Sequence, residues 1–136
     1  MVTNSSFYPE NFPIPHFTYA HAKEMQESGI IEIESHSAVH LVHPLLTLNE
    51  LTYNIRKSYL DLYFTLGKVP FVYAYPTGAY SDITREEVSK AGYKIQLTVQ
   101  EKLNNDETPL DQIKRLNIRG DQSTEDLRNL IIGGNT

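Results

Sequence analysis

An α/β fold, with a parallel sheet covered by helices, is the class this sequence predicts, and three observations predict it. Helix-patterned segments with recognisable start and stop residues alternate with short apolar runs rich in β-branched and aromatic residues. Those runs are too short to be helices and are bounded by Gly, Pro or polar clusters. The residues with chemical capacity follow the runs directly, where a parallel sheet delivers the C-terminal ends of its strands. Periodicity alone fits an open doubly wound sheet as well as a (β/α) barrel.

The elements follow in order. Residues 1–17 hold Pro9, Pro13 and Pro15 among Phe7, Tyr8, Phe12 and Phe17, a pattern for an extended arm, since proline cannot continue a helix. Thr18 is a helix cap, and the helix it opens ends at Gly29. The run Gly29 to Ile33 reads as a short buried strand over 30–33. Thr47-Leu48-Asn49-Glu50 is a capping box. It opens a helix with Leu48, Leu51, Ile55, Tyr59, Leu62 and Leu66 on one stripe, stopping at Gly67. Pro70 to Tyr75 is the next strand. Ser81 or Asp82 caps a helix to Gly92, and Tyr93 to Val99 is a strand. A polar loop, 104–109, leads to Leu116-Asn117-Ile118, and Ser123 with Asp126 opens a last helix to about Ile132. The expected organisation is thus an arm over 1–17, one domain over 18–132 and a tail over 133–136.

Composition narrows the class. At 136 residues with 40% apolar content, the chain has the makings of one packed domain rather than a disordered segment. A net charge of −5 without a basic run argues against a nucleic-acid partner. The absence of cysteine rules out disulfides and thiolate metal sites, and fits either side of a membrane. Residues Met1 to Ser6 lack the basic start and apolar centre of an export signal, and no stretch is long enough to span a bilayer.

The segment Glu34-Ser35-His36-Ser37-Ala38-Val39-His40 carries the chemistry, because it sets two imidazoles four residues apart just after an apolar run. Neutral imidazole is a good ligand for zinc, nickel, iron and copper, so the pair forms part of a candidate metal site. The plainer reading is that both rings brace their loop by hydrogen bonds. His43 is a weaker candidate because of its spacing and its neighbour Pro44, and His16 and His21 read as solvent-facing. A second landmark, Ala74-Tyr75-Pro76-Thr77-Gly78-Ala79-Tyr80, follows the Pro70 to Tyr75 run. Pro76-Thr77-Gly78 also reads as an ordinary turn, and most of the nine tyrosines as core or rim residues.

Together these stretches resemble the polysaccharide deacetylase family, the nodulation-factor deacetylase homology domain of carbohydrate esterase family four. Ser35-His36-Ser37 with His40 is similar to the family's metal-binding motif, and Ala74-Tyr75-Pro76-Thr77-Gly78 to its third motif. Flanking matches lie at Lys23-Glu24-Met25, Ser28-Gly29, Glu87 and Ala91-Gly92-Tyr93-Lys94, so the resemblance spans roughly residues 17–130. It implies a partial, distorted (β/α) barrel. It implies a metal-dependent hydrolase that removes N-acetyl groups from an N-acetylhexosamine polysaccharide at the cell surface or outside the cell. His36 and His40 would hold a divalent metal, zinc first, with nickel, cobalt or iron as alternatives. The backbone N–H of Thr77 would stabilise the oxyanion, and Tyr75, Pro76 and Tyr80 would line the sugar groove.

Departures from the pattern qualify that expectation. The family's acidic pair, which supplies a catalytic base and a third metal ligand, has no counterpart, since no Asp lies between Met1 and Leu60. The late Leu-x-His motif is missing, because no His follows His43. Ala74 and Thr77 stand where the commoner third motif has Arg and Tyr. Arg115 ahead of Leu116-Asn117-Ile118 resembles a family stretch and reads as structural. The sequence therefore predicts impaired turnover, weak metal binding by two imidazoles alone, and either a homo-oligomer or complementing chain or coverage of the open edge by the aromatic arm. The alternative is an inactive glycan-binding or assembly fragment.

Overall fold

The structure, a computed structural model, describes residues 17–133. The expected arm, apart from Phe17, and the tail beyond Gly133 lie outside the described residues. Residues Met1–Glu32 and Ile33–Thr136 form two compact units.

In the first unit, α1 spans Tyr19–Glu27. Thr18 caps it as expected, and His21 closes the capping box: Thr18 N–H donates to His21 Nδ1 at 3.3 Å while His21 N–H donates to Thr18 Oγ1 at 3.3 Å. An imidazole thus does what Glu or Gln usually does three residues into a helix. The chain leaves α1 through Gly29 at φ +71°.

The expected buried strand over 30–33 is not formed. Ile30 is 88% exposed and Ile31 45%, and only Ser35 joins the sheet, as a single parallel bridge to Tyr73. The reason is a long-range contact. Glu34 Oε2 accepts from Phe71 N–H at 2.9 Å and Val72 N–H at 3.0 Å, so a carboxylate occupies donors that a strand would have used. Lys68 Nζ, 2.7 Å from Glu34 Oε1, balances the charge.

In the second unit, α2 spans Leu48–Leu66 behind the Thr47–Glu50 capping box and ends at Gly67, φ +67°. Its inner face is only partly the predicted stripe. Leu51, Ile55 and Leu66 are buried and Tyr59 and Leu62 half-buried, but Leu48 is 56% exposed. Asn54 and Ser58 are buried on that face instead. Strand β1, Val72–Ala74, pairs in parallel with β2, Ile95–Leu97, in the register Val72 to Ile95, Tyr73 to Gln96 and Ala74 to Leu97. Both are shorter than the apolar runs that foreshadowed them. At one end Pro70 has no N–H to donate and Phe71 O takes both Lys94 N–H and Ile95 N–H. At the other, Tyr75 N–H reaches Leu97 O at 3.2 Å and Pro76 then ends the ladder. A second parallel bridge joins Leu97 to Ile113.

Helix α3, Asp82–Ala91, starts at Ser81, whose Oγ accepts from Thr84 N–H at 3.2 Å, and stops at Gly92, φ +115°. Arg85 on α3 reaches Asp111 Oδ2 at 2.5 Å and ties the helix to the Leu110–Gln112 turn. Helix α4, Thr124–Gly133, opens at Ser123 with Asp126. The core is Leu51 and Ile55 of α2, Tyr73, Tyr75 and Tyr93 from the sheet segments, and Val88 of α3. Burying such side chains is worth ~1.5–3 kcal/mol each for the aliphatic members. The described residues thus comprise four helices, α1 in the first unit and α2 to α4 in the second, and in the second a two-stranded parallel sheet bridged by one further position on each side. Closure into a barrel is not among their features. Among the described residues no helix is long and apolar enough to cross a membrane.

Candidate metal centre and glycan site

Parallel pairing puts the C-terminal ends of Ser35, β1 and β2 on one side, and the segments 36–40, 75–80 and 98–100 leave from there. His36 and His40 meet on that side. Their ring centroids are 4.9 Å apart and the rings stand at 68°. His36 Nδ1 lies 2.8 Å from Ala74 O. A carbonyl only accepts, so Nδ1 carries the proton and the Nε2 lone pair is left for a ligand, the tautomer control typical of metal-binding histidines. Partial burial, first of all, keeps His36 below the ordinary imidazole range, against the pull of the Ala74 carbonyl; the nearby His40 and Arg115 act with it in smaller measure.

The loop that carries the pair is held by polar clamps. Ser37 and His40 both adopt positive φ, 70° and 53°, an arrangement that costs non-glycine residues about 1 kcal/mol or more each. Ser37 Oγ accepts from His40 N–H at 2.9 Å, and Asn54 Oδ1 of α2 accepts from Ala38 N–H at 2.8 Å. Ser35 Oγ bonds Ser58 Oγ at 2.9 Å, and Ser58 Oγ also meets Tyr93 OH at 3.0 Å. Beneath the loop His43 is buried, with Nε2 at 2.8 Å from Tyr73 OH and Nδ1 unpaired among the described residues. Burial, with the neighbouring His36 and His40, pushes the His43 pKa down to about 4. Burial likewise raises the Tyr73 phenol above its usual value. His43 is therefore a neutral strut, buried where the pair is exposed.

The second landmark is held by packing. Tyr73 and Tyr75 share a face of β1, two residues apart, and that face is the core. Tyr75 was expected to line a sugar groove but is 0% exposed, with its OH bonded to Gln96 Oε1; Pro76 is buried as well. Both support the site from beneath. Tyr80 is half-buried and stacks on Tyr75 with centroids 4.8 Å apart and planes at 16°, so it offers its other side outward. Thr77 is exposed at φ +58°, in a turn whose bonds are Gly78 N–H to Tyr75 O and Ala79 N–H to Pro76 O; the Thr77 N–H takes part in neither. Gly78, φ +74°, packs so closely that a Cβ there would lie 2.1 Å from Val99 Cγ2.

The fit to a divalent metal is partial. Two imidazoles sharing one cation at ~2.1 Å per nitrogen, with bond angles of about 90–109°, have ring centres roughly 4.5–5.2 Å apart, which brackets the separation found here. Among the described residues no group of three His, Asp or Glu side chains comes together. The pair thus matches two positions of a ligand set and leaves the others to groups outside it. Asn54, Ser58 and the His43–Tyr73 couple were not foreseen as supports of the loop. The signal available was two polar residues, four apart, interrupting the apolar stripe of α2.

Comparison with known proteins identifies the family. The family model for polysaccharide deacetylases matches residues 11–96. Curated proteins return no match. Among solved structures, the chain resembles the deacetylase PplD of Streptococcus pyogenes in complex with acetate, at 24% identity over 84% of this chain and 50% of that one, with a TM-score of 0.78. It resembles a polysaccharide deacetylase from Bacillus cereus at 26% identity, over 84% of this chain and 36% of that one, with a TM-score of 0.76. It shares the fold of a de-N-acetylase from Aggregatibacter actinomycetemcomitans at 19% identity, over 90% of this chain and 60% of that one, with a TM-score of 0.70. The chain spans 50% or less of the first two in length. With more than half of its residues matched by the family model, this chain belongs to the polysaccharide deacetylase family.

Proposed function

We propose that this chain carries the imidazole half of a metal-dependent N-deacetylase acting on an N-acetylhexosamine polysaccharide at or outside the cell surface, and that its parallel strip is a segment of a distorted (β/α) barrel. The observation that carries the reading is the His36–His40 pair, 4.9 Å between ring centres, with the His36 tautomer set by Ala74 O.

The residues divide the work by position. His36 and His40 would hold the cation, zinc in the first instance. Once bound, a divalent cation supplies Lewis acidity toward the acetyl carbonyl and lowers the cost of deprotonating water. The Ala74 carbonyl fixes the His36 proton on Nδ1 and so keeps Nε2 basic. The Thr77 N–H, on the turn beside that carbonyl, donates to the oxygen that gains charge as the acetyl carbon becomes tetrahedral. Tyr80, backed by Tyr75, presents a flat amphipathic ring to a pyranose face. No Asp precedes Leu60, so the base and third ligand of the family pattern have no counterpart before the imidazole pair. The chain by itself therefore has low turnover, and a second copy or a complementing chain completes the shell.

That no third His, Asp or Glu joins the pair among the described residues favours a second reading, a catalytically inactive member that still binds glycan. Titration of the full chain with zinc, nickel and cobalt, alongside a deacetylation assay on N-acetylglucosamine oligomers, tests both. The expected outcome is weak cation binding that His36→Ala or His40→Ala abolishes, with turnover near background. Binding undiminished in both variants refutes the metal role. Glycan binding with no cation binding at all selects the inactive reading.

A further inference from the structure

Helix α2 is apolar on two sides. Its inner side gives Leu51 and Ile55 to the core. Its outer side carries Tyr53, with Leu60 two turns on and Phe64 three turns on, so the three stand in one line. They are 69%, 47% and 78% exposed. Tyr63 stands beside the line, also exposed, its ring centroid 5.2 Å from that of Phe64. The neighbouring α3 shows the ordinary pattern: Asp82, Glu86, Ser89 and Lys90 are exposed, and Ile83 is the large apolar exception. A helix with an apolar stripe on its outer side has surface still to bury.

The charges along the stripe say what fits it. Lys57 Nζ lies 2.7 Å from Asp61 Oδ2, one turn on, and both side chains remain partly exposed beside the stripe. Opposite charges one turn apart complement a second copy of the same helix running the other way. A two-fold axis crossing α2 at the level between Ser58 and Tyr59 sets Tyr53 against Phe64 of the second copy and brings Lys57 to that copy's Asp61. Leu60 falls near the axis, where the aliphatic stem of the other copy's Lys57 covers it. Parallel pairing would instead set Lys57 against Lys57 and Asp61 against Asp61, like charge on like. Arg56 lies on the flank toward α3, outside the paired surface. The three rings and Leu60 expose on the order of 400 Å² in each copy. Two copies with their flanking charges cover on the order of 1,000 Å², the size of a weak, reversible interface.

We infer that the outer side of α2 is a self-association surface whose occupant is a second copy of this chain, packed antiparallel through Tyr53, Leu60 and Phe64 and held in register by Lys57 and Asp61. The inference goes beyond the function proposed above. Asn54, which holds the imidazole loop, lies on the buried side of α2, so this pairing brings no ligand to His36 and His40. It is a separate assembly from completion of the metal shell.

Sedimentation velocity on the full chain, run over a range of concentrations without metal or glycan, tests this. The natural chain is expected to pass reversibly from monomer to dimer with a dissociation constant on the order of 10 μM. Phe64→Glu should raise that constant about thirtyfold or more, since it removes a central ring from the contact. Lys57→Asp and Asp61→Lys each set like charges against one another across the axis and should each raise it about tenfold. An equimolar mixture of those two variants should return to within about threefold of the natural value, because every copy then meets opposite charges. All the substituted side chains are at least partly exposed, and circular dichroism reads whether each variant is folded. The mixture carries the test even where one substitution weakens the helix, since both components lose the same pair within the chain. A natural chain that stays monomeric at every concentration, a dimer indifferent to Phe64→Glu, or a mixture that associates no better than its components overturns the inference.

Discussion

Two loops that leave neighbouring positions of the parallel ladder are built on opposite principles. Residues 36–40 are fixed by directional bonds: His36 to Ala74 O, Ala38 N–H to Asn54, His40 N–H to Ser37. Residues 75–78 are fixed by close packing, with Tyr75 and Pro76 buried and Gly78 against Val99. Both hold positive φ at non-glycine residues, Ser37 and His40 in one and Thr77 in the other. A loop made of hydrogen bonds responds to lost partners and to pH. A loop made of contacts responds to added volume. The placement suits their proposed tasks, since ligands must point in set directions while a backbone amide needs only an unyielding turn.

The largest effect expected from this contrast is at Gly78. Gly78→Ala would drive a methyl to 2.1 Å from Val99 Cγ2 at φ +74°, where an L side chain is also strained. A loss of about 3 kcal/mol or more is expected by denaturant unfolding, combining overpacking with backbone strain. The double variant with Val99→Ala should recover the packing part only. Full recovery, or no loss in the single variant, would show that the turn is not packing-limited.

Next in size is acid sensitivity beneath the other loop. His43 is neutral in the fold with a pKa of about 4, against an ordinary value of 6.5. The unfolded chain therefore binds the extra proton first. Stability from this residue is complete above about pH 6.5 and is lost as pH falls toward 4, by at most ~3 kcal/mol. Unfolding free energy followed across that window should fall in the natural chain and fall less in His43→Gln. Parallel curves would remove His43 from the account. Carboxylates such as Glu87, held low by Thr52 and then Lys90, lose their contribution at lower pH and give a separate decline.

The smallest of the three is the Asn54 clamp. Asn54→Ala leaves Ala38 N–H without its acceptor and should cost about 1–3 kcal/mol. Amide exchange should quicken at Ala38 and His40 while Gly78 and Ala79 stay protected. Equal acceleration in both loops would mean that they are one cooperative unit and that the comparison fails.

The sequence by itself determined the helices and their ends. Thr18, Thr47, Ser81 and Ser123 cap their helices where local patterning put them, and Gly67 and Gly92 end two of them at positive φ, because caps are satisfied within a few residues. It also indicated the two ladder-end segments and the residue types gathered there. Tertiary structure alone decided the rest. Whether Ile30 to Ile33 became a strand depended on Glu34, which reaches residues 71 and 72 instead. Whether Tyr75 or Tyr80 met solvent depended on which face of β1 turned toward α2 and α3. Asn54 and Ser58 became supports of the imidazole loop only because α2 packs against it, more than a dozen residues away in sequence. Local signals are read from neighbours along the chain, whereas exposure and long-range hydrogen bonds exist only once distant segments have met.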